Sequence, residues 1–370
     1  NGIPFFTDVA NNSMYTHDVS GTDDTAQFNT AYGFNALDGI TTGDHNTVMG
    51  YGAGGTLNTG TRNTFIGSLA GDATAAGQQN VAIGYAALSS NQAGDFSVAV
   101  GYGALHAQDG GTNGVDFYNV AVGYNAGAAV TTGTLNTIIG GLAGDALTEG
   151  NHNTVLGYGA LSNETLGDRN VAVGSNALYA QNNTSDVDAY NVAVGYNVGA
   201  AVTTGVKNTL IGGLAGSSLT SGGENVAIGY AALISEDANG KNVAIGKSAL
   251  TTQNAGADGY NVAVGYEAGK AITTGIKNTI VGGIAGDAIT TGLNNTLLGY
   301  NSGGALVGGS YNVALGYFAL ASEDAHGRNV AIGWRSLQNQ NAGADAYNVA
   351  IGYDSGLSIS TGTLNTIVGG

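Results

Sequence analysis

A five-residue pattern, Asn-(Val/Thr)-apolar-apolar-Gly, recurs twenty times along this 370-residue chain, and its spacing leaves few folds open. The first residues are Asn29, Asn46, Asn63, Asn80, Ser97, Asn119, Asn136, Asn153, Asn170, Asn191, Asn208, Asn225, Asn242, Asn261, Asn278, Asn295, Asn312, Asn329, Asn348 and Asn365. Only Ser97 departs from Asn, and the fifth residue is always Gly. Fifteen of the nineteen intervals are 17 residues; the others are 22, 21, 19 and 19. Seventeen residues is too short for a helical-pair repeat, and Val, Ile and Thr favour strands. At ~3.3 Å per residue a coil has a contour of about 56 Å, room for two short strands and two turns. The expectation is an all-β solenoid over residues 29–370, with residues 1–28 as a non-repeating cap in which Phe5, Phe6 and Tyr15 plug the end of the core. Asn-Val-Ala-Ile-Gly reads as the first strand of a coil. Segments such as Ala128-Ala129-Val130-Thr131-Thr132-Gly133 read as the second.

Composition agrees. The chain holds 65 Gly and one Pro, but 43% of it is apolar and only 9% charged, so glycine serves turns rather than disorder. A glycine share well below one in three, with no triplet period, excludes collagen. A net charge of −17 repels polyphosphate and anionic lipid, so neither nucleic acid nor membrane is an expected partner. The absence of cysteine removes disulfides, thiolate metal sites and cysteine catalysis. No apolar run is long enough to span a bilayer as a helix. The chain ends at Gly369-Gly370 inside a repeat, from which we expect further domains of the same polypeptide.

Alternation along a strand points the second and fourth motif residues one way and the third the other. Eleven coils pair Val second with Ala third. Eight of the nine Thr coils carry a large third residue; Ala31 is the exception. Because the third and fourth positions are apolar in every coil, both strand faces should be buried, one in the coil and one against identical chains. The third-position residues Ala82, Ala121, Ile138, Ala172, Leu210, Ala227, Ala244, Ile280 and Ala331 are the expected interface, in a homotrimeric rod.

The Asn-Val-Ala-Ile-Gly motifs at 80–84, 225–229, 242–246 and 329–333 resemble the head repeat of trimeric autotransporter adhesins, which implies a left-handed β-roll. The longer run Asn80-Val81-Ala82-Ile83-Gly84-Tyr85-Ala86-Ala87-Leu88-Ser89-Ser90-Asn91 is similar to repeat-rich phage tail-fibre proteins. The resemblance covers about residues 29–370. It implies an extracellular, non-enzymatic fibre or adhesin whose partners are its own copies and a host-surface polysaccharide. Tyr follows the motif Gly eleven times, where the adhesin heads carry mostly small residues.

Candidate ligand contacts lie where the coils lengthen. All four long intervals end in Asp-x-Tyr-Asn, giving Asp116 and Tyr118, Asp188 and Tyr190, Asp258 and Tyr260, and Asp345 and Tyr347. Insertions in solenoids gather on one face, often the binding face, and an aromatic beside a carboxylate suits a sugar. The same residues also suit a turn cap and a cover for the widened coil. Acidic turns such as Glu236-Asp237 and Glu323-Asp324 could hold calcium but lack any calcium-loop spacing, so no cofactor is expected. Histidines 17, 45, 106, 152 and 326 are scattered, and no enzyme signature emerges.

Overall fold

The computed structural model describes residues 6–8, 10–16, 25–112 and 114–370; Phe5 and His17 lie outside them. Contacts divide the chain into two compact units, Asn1–Ala189 and Tyr190–Gly370. The described residues contain no helix, and each motif forms one three-residue strand. Nine such strands, Thr30–Tyr32 to Val171–Val173, belong to the first unit. Eleven, Val192–Val194 to Thr366–Val368, belong to the second. Within each unit successive strands pair parallel and in register, so equivalent motif positions stack: Phe65 on Ala82, and Leu210 on Ala227. The chain is a β-solenoid of about twenty coils.

The motif Asn holds the stack together. Asn46 lends its Oδ1 to the backbone N–H of Asn63, one coil on, at 3.0 Å. Its Nδ2 donates to the carbonyl of Gly60, fourteen residues later in its own coil, at 2.9 Å. The same two bonds recur at Asn136 and Asn153 in the first unit and at Asn278 and Asn295 in the second. These amides are buried, so their bonds are made away from water, where leaving one unmade is costly. Ser97 cannot reach as far, and Gln108 fills the gap by donating to Ser97 Oγ at 2.9 Å and accepting from Asn119 Nδ2 at 3.0 Å.

The final motif Gly is required by close approach. Gly282 has φ +143°, and a Cβ there would overlap the carbonyl of Gly299 on the next coil. Backbone geometry also holds a feature that composition hides. The residue before each motif Asn or Ser has a positive φ in all twenty coils, between +48° and +65°. Most of these are not the residues that favour that region. The cost is offset because the turn aims their N–H groups at the preceding coil, as in Arg62 N–H to the Asp44 carbonyl at 2.9 Å.

The interior corrects the strand-face assignment. Ala82, Ala121, Ile138, Ala172, Leu210, Ala227, Ala244, Ile280 and Ala331 are all fully buried inside their own coils, so they cannot form a chain–chain interface. Third-position residues line the core, and the second and fourth face outward. Size compensation explains their variation. A Cβ on Gly71 would come within 2.7 Å of the Phe65 ring, whereas the smaller Ala82 is matched by a buried Leu88 at the equivalent turn.

The second strand is also corrected: Ala128–Gly133 is a series of turns. Thr131 and Gly133 both donate to the Thr148 carbonyl, at 2.9 and 3.2 Å, a convergence that an extended ladder does not permit. The short extra pairs that do form are Gly94–Asp95 with Val115–Asp116 and Gly167–Asp168 with Val187–Asp188.

Near the start, Phe6–Asp8 pairs antiparallel with Ser13–Tyr15. Ser13 Oγ accepts the N–H of Asn29 at 3.0 Å, as a motif Asn would, and Tyr15 is buried where third-position residues sit. Ser13-Met14-Tyr15 is therefore a degenerate coil strand inside the expected cap. Phe6, at 41% exposed, does not plug the core.

Asn295→Ala would orphan the N–H of Asn312 and the carbonyl of Gly309, costing about 1–3 kcal/mol for each group. Hydrogen exchange at the Asn312 amide should accelerate ahead of amides two coils away. Gly282→Ala should destabilise strongly and Gly283→Ala little, because the nearest atom to a Cβ on Gly283 lies at 3.4 Å on the Tyr300 ring. Thermal melting of the two variants compares them directly.

Candidate functional site

The outward strand face and the turn that follows it carry the exposed apolar groups. The fourth motif residue is apolar in all twenty coils, and large examples reach solvent: Met49, Leu156, Leu298 and Ile351 are 39–49% exposed. Two residues further on, past the Gly, stands the aromatic column. In the first unit Tyr85, Tyr102 and Tyr124 stack with ring centres 5.2 and 5.4 Å apart. In the second unit Tyr300, Tyr317, Trp334 and Tyr353 stack at 5.6, 4.2 and 6.3 Å. Stacking follows from register: equivalent residues recur at the coil-to-coil rise, which is close to the separation of parallel offset rings. The rings leave one face or edge to solvent. A cleft of about 240 Å³ is lined by Tyr85 and Tyr102 together with His106 and Asn125.

The structure brings each described Asp-x-Tyr group onto the surface. The middle residue points inward and is buried: Phe117, Ala189 and Ala346 have no exposed area. Alternation then turns Asp and Tyr outward. Tyr118, Tyr190, Tyr260 and Tyr347 are each about half exposed.

Three of the four acids already have a cation. Asp258 accepts from Lys241 Nζ at 2.6 Å, Asp345 from Arg328 Nε at 2.7 Å, and Asp188 pairs with Arg169. Each base is the residue before the motif Asn in the preceding coil, so the insertion closes back on its neighbour. Lys241 also lies 5.2 Å over the Tyr260 ring, and Arg328 sits between the rings of Tyr311 and Tyr347 at 5.1 and 5.5 Å. The Lys241 hydrogen bond holds the Asp258 carboxyl below its usual range, as that of Arg328 does for Asp345. In the first loop Phe96 replaces the base and stacks on Tyr118 at 5.0 Å, while Tyr118 donates to Asp116 at 3.4 Å. The described contacts accordingly tie the insertions to the solenoid. They leave the half-exposed tyrosines, rather than the three ion-paired carboxylates, as the accessible groups of these loops.

A set of residues missed by the sequence reading lies beneath these loops. The residue eleven positions after the motif Asn is apolar in most coils, as in Leu57, Val130 and Ile289. In each long coil it is Gln: Gln108, Gln181, Gln253 and Gln340. In the coil before, it is Asn91, Glu164, Glu236 and Glu323 respectively. All eight are buried. Glu164 Oε1 accepts the N–H groups of Thr165, Gly167 and Asn183 at 2.9–3.0 Å, and Oε2 accepts from Gln181 at 2.8 Å. A widened coil loses the regular stacking of its turn, and these side chains take over its backbone donors. The 17-residue Glu-to-Gln spacing was visible in the sequence, but only as departures from an apolar column.

Burial pushes the Glu236 carboxyl up to about 7, against hydrogen bonds from Asn239 and the N–H of Asp237. Burial raises Glu323 as well. No described helix is long and apolar enough to cross a membrane. Neither a protein-family model nor a curated protein sequence matches the chain.

The raised Glu236 pKa fixes a sign. The folded chain binds a proton that the unfolded chain releases between about 4.5 and about 7, so this group makes stability fall as pH rises through that window. Glu236→Gln should therefore melt higher than the parent at pH 8 and close to it at pH 5. Melting curves at the two values test this, and a parallel shift at both would exclude it.

Proposed function

We propose that this chain is a non-enzymatic structural segment of an extracellular fibre or adhesin, built from identical copies packed around a common axis. The supporting observation is the outward column of fourth-position side chains. Soluble monomers rarely expose contiguous apolar patches above a few hundred Å², and this column runs coil after coil through each unit. Copies of one chain match such a column in spacing, and three flat strand faces close a prism, which makes the assembly a homotrimer. The interface moves from the third-position residues to the fourth, with the second-position Val and Thr beside it.

A phage tail fibre is the role that best fits a long series of repeats with tyrosine-rich turns, and the bacterial surface adhesin is the second reading, favoured by Asn-Val-Ala-Ile-Gly itself. In either, the ligand is a host-surface polysaccharide. Half-exposed tyrosines at the turns and in the Asp-x-Tyr loops offer an aromatic surface for contact with sugar rings. Three chains multiply weak contacts into useful avidity.

Leu156→Glu combined with Leu298→Glu should lower the assembly mass seen by light scattering, because both side chains face outward, while far-UV circular dichroism stays unchanged. Ser235→Glu, at an exposed turn, should leave the mass as it is. Ala227→Glu should instead unfold its coil, since it places a charge in the core. A double variant that keeps the parent mass would exclude packing through this face.

A further inference from the structure

The turn Glu323-Asp324-Ala325-His326 collects three different metal-binding side chains. One ligand atom from each of Glu323, Asp324 and His326 lies within 4.8 Å of the others. Two atoms of this group have unmet bonding capacity. Glu323 Oε2 is buried with no hydrogen-bond partner, and His326 Nδ1 has none either. The remaining polar contacts are few: Glu323 Oε1 accepts the His326 N–H at 3.3 Å, the backbone N–H of Ala342 on the next coil also bonds the Glu323 carboxylate, and Nδ1 lies 3.8 Å from Oε1. We propose that this turn is a binding site for a divalent transition-metal cation of the zinc class, held by a Glu323 carboxylate oxygen, the Asp324 carboxylate and His326 Nδ1. The inference does not depend on how copies of the chain assemble.

The donor set selects the metal. One imidazole with two carboxylates suits zinc-type ions with a fourth position left for water, whereas calcium takes six or more oxygens. Metal–ligand bonds of about 2.0–2.2 Å require the three atoms to draw together, which side-chain rotation of the exposed Asp324 and half-buried His326 can supply. The cation reaches buried Glu323 from the solvent side, past these two residues.

Two sibling turns sharpen the argument. Glu236-Asp237-Ala238-Asn239 has the same form, orphaned Glu236 Oε2 included, but ends in Asn, whose Nδ2 faces Glu236 Oε1 at 3.4 Å as a donor and offers no imidazole, so the histidine is what sets the Glu323 turn apart. Glu164 has no acid or His beside it in its turn, and its two oxygens are filled by backbone and amide donors. Only the Glu323 turn joins an orphaned buried oxygen to a histidine among the described residues. The competing account is also visible: Gln340 Nε2 lacks a partner, and a bond from it to Glu323 Oε2 would copy the 2.8 Å bond from Gln181 to Glu164.

Calorimetric titration of the metal-stripped full chain with zinc chloride distinguishes the two. The expected result is one site that His326→Asn weakens by at least the ~10-fold that loss of an outer-sphere partner costs, together with a zinc-dependent rise in melting temperature that the variant lacks. The variant reproduces the Asn239 turn, so its fold is not at risk, and circular dichroism checks this. Cobalt substitution should give a visible absorption band that His326→Asn abolishes. Identical isotherms for parent and variant, or no zinc binding, would overturn the proposal in favour of the Gln340 bond. Tighter binding of calcium than of zinc would overturn the choice of metal.

Discussion

Register between coils depends on one bond: the side-chain oxygen of a motif Asn accepting the backbone N–H of the next. A three-residue strand is too short to fix its own alignment, and a slip of one residue would turn Ala227 out and Val226 in. The amide prevents that slip because its two ends are claimed by different coils, one by the N–H ahead and the other by the carbonyl that closes its own turn. The glycine four residues later adds a steric limit, since only a residue without a side chain lets the backbones approach at that height.

Once register is set, the rest of the coil is a volume problem. Large third-position residues such as Phe65 and Leu297 face glycines in the turn, and alanines such as Ala82 face leucine. Insertions are accommodated by a polar pair in the same interior column, Glu (once Asn91) beside Gln, which takes up backbone bonds that a wider turn abandons. Three of the four loops above are then tied down by a base from the preceding coil, and the first by the Phe96 ring. This leaves the outer columns of aliphatic and aromatic side chains as the surface not yet matched within the chain.

Much of this was legible in the residues. The interval of seventeen, the Asn and the Gly identify the solenoid and its strand, because each has a single steric or hydrogen-bonding reason to recur. The direction of the strand faces was not legible. In Asn-Val-Ala-Ile-Gly both parities are apolar, and the decisive information lies in the turn: Leu88 and Gly71 show which face needs filling. The second strand was misread because Ala128–Gly133 is β-branched and apolar, while its actual path depends on a left-handed Gly127 and on two N–H groups sharing one carbonyl. The first coil, Ser13-Met14-Tyr15, escaped notice because it keeps the hydrogen-bonding role of Asn without the letter.

The regular seventeen-residue step has a consequence for how such a molecule changes over generations. A coil consults only the coil before and the coil after it, and nearly all offer the same socket of amide oxygen and bare glycine. Duplicating or excising one complete unit of the gene would restore every join, whereas losing a single codon inside a strand would misalign that coil against both neighbours. The length of this protein is thus a quantity that heredity can adjust in whole steps, like links in a measuring chain.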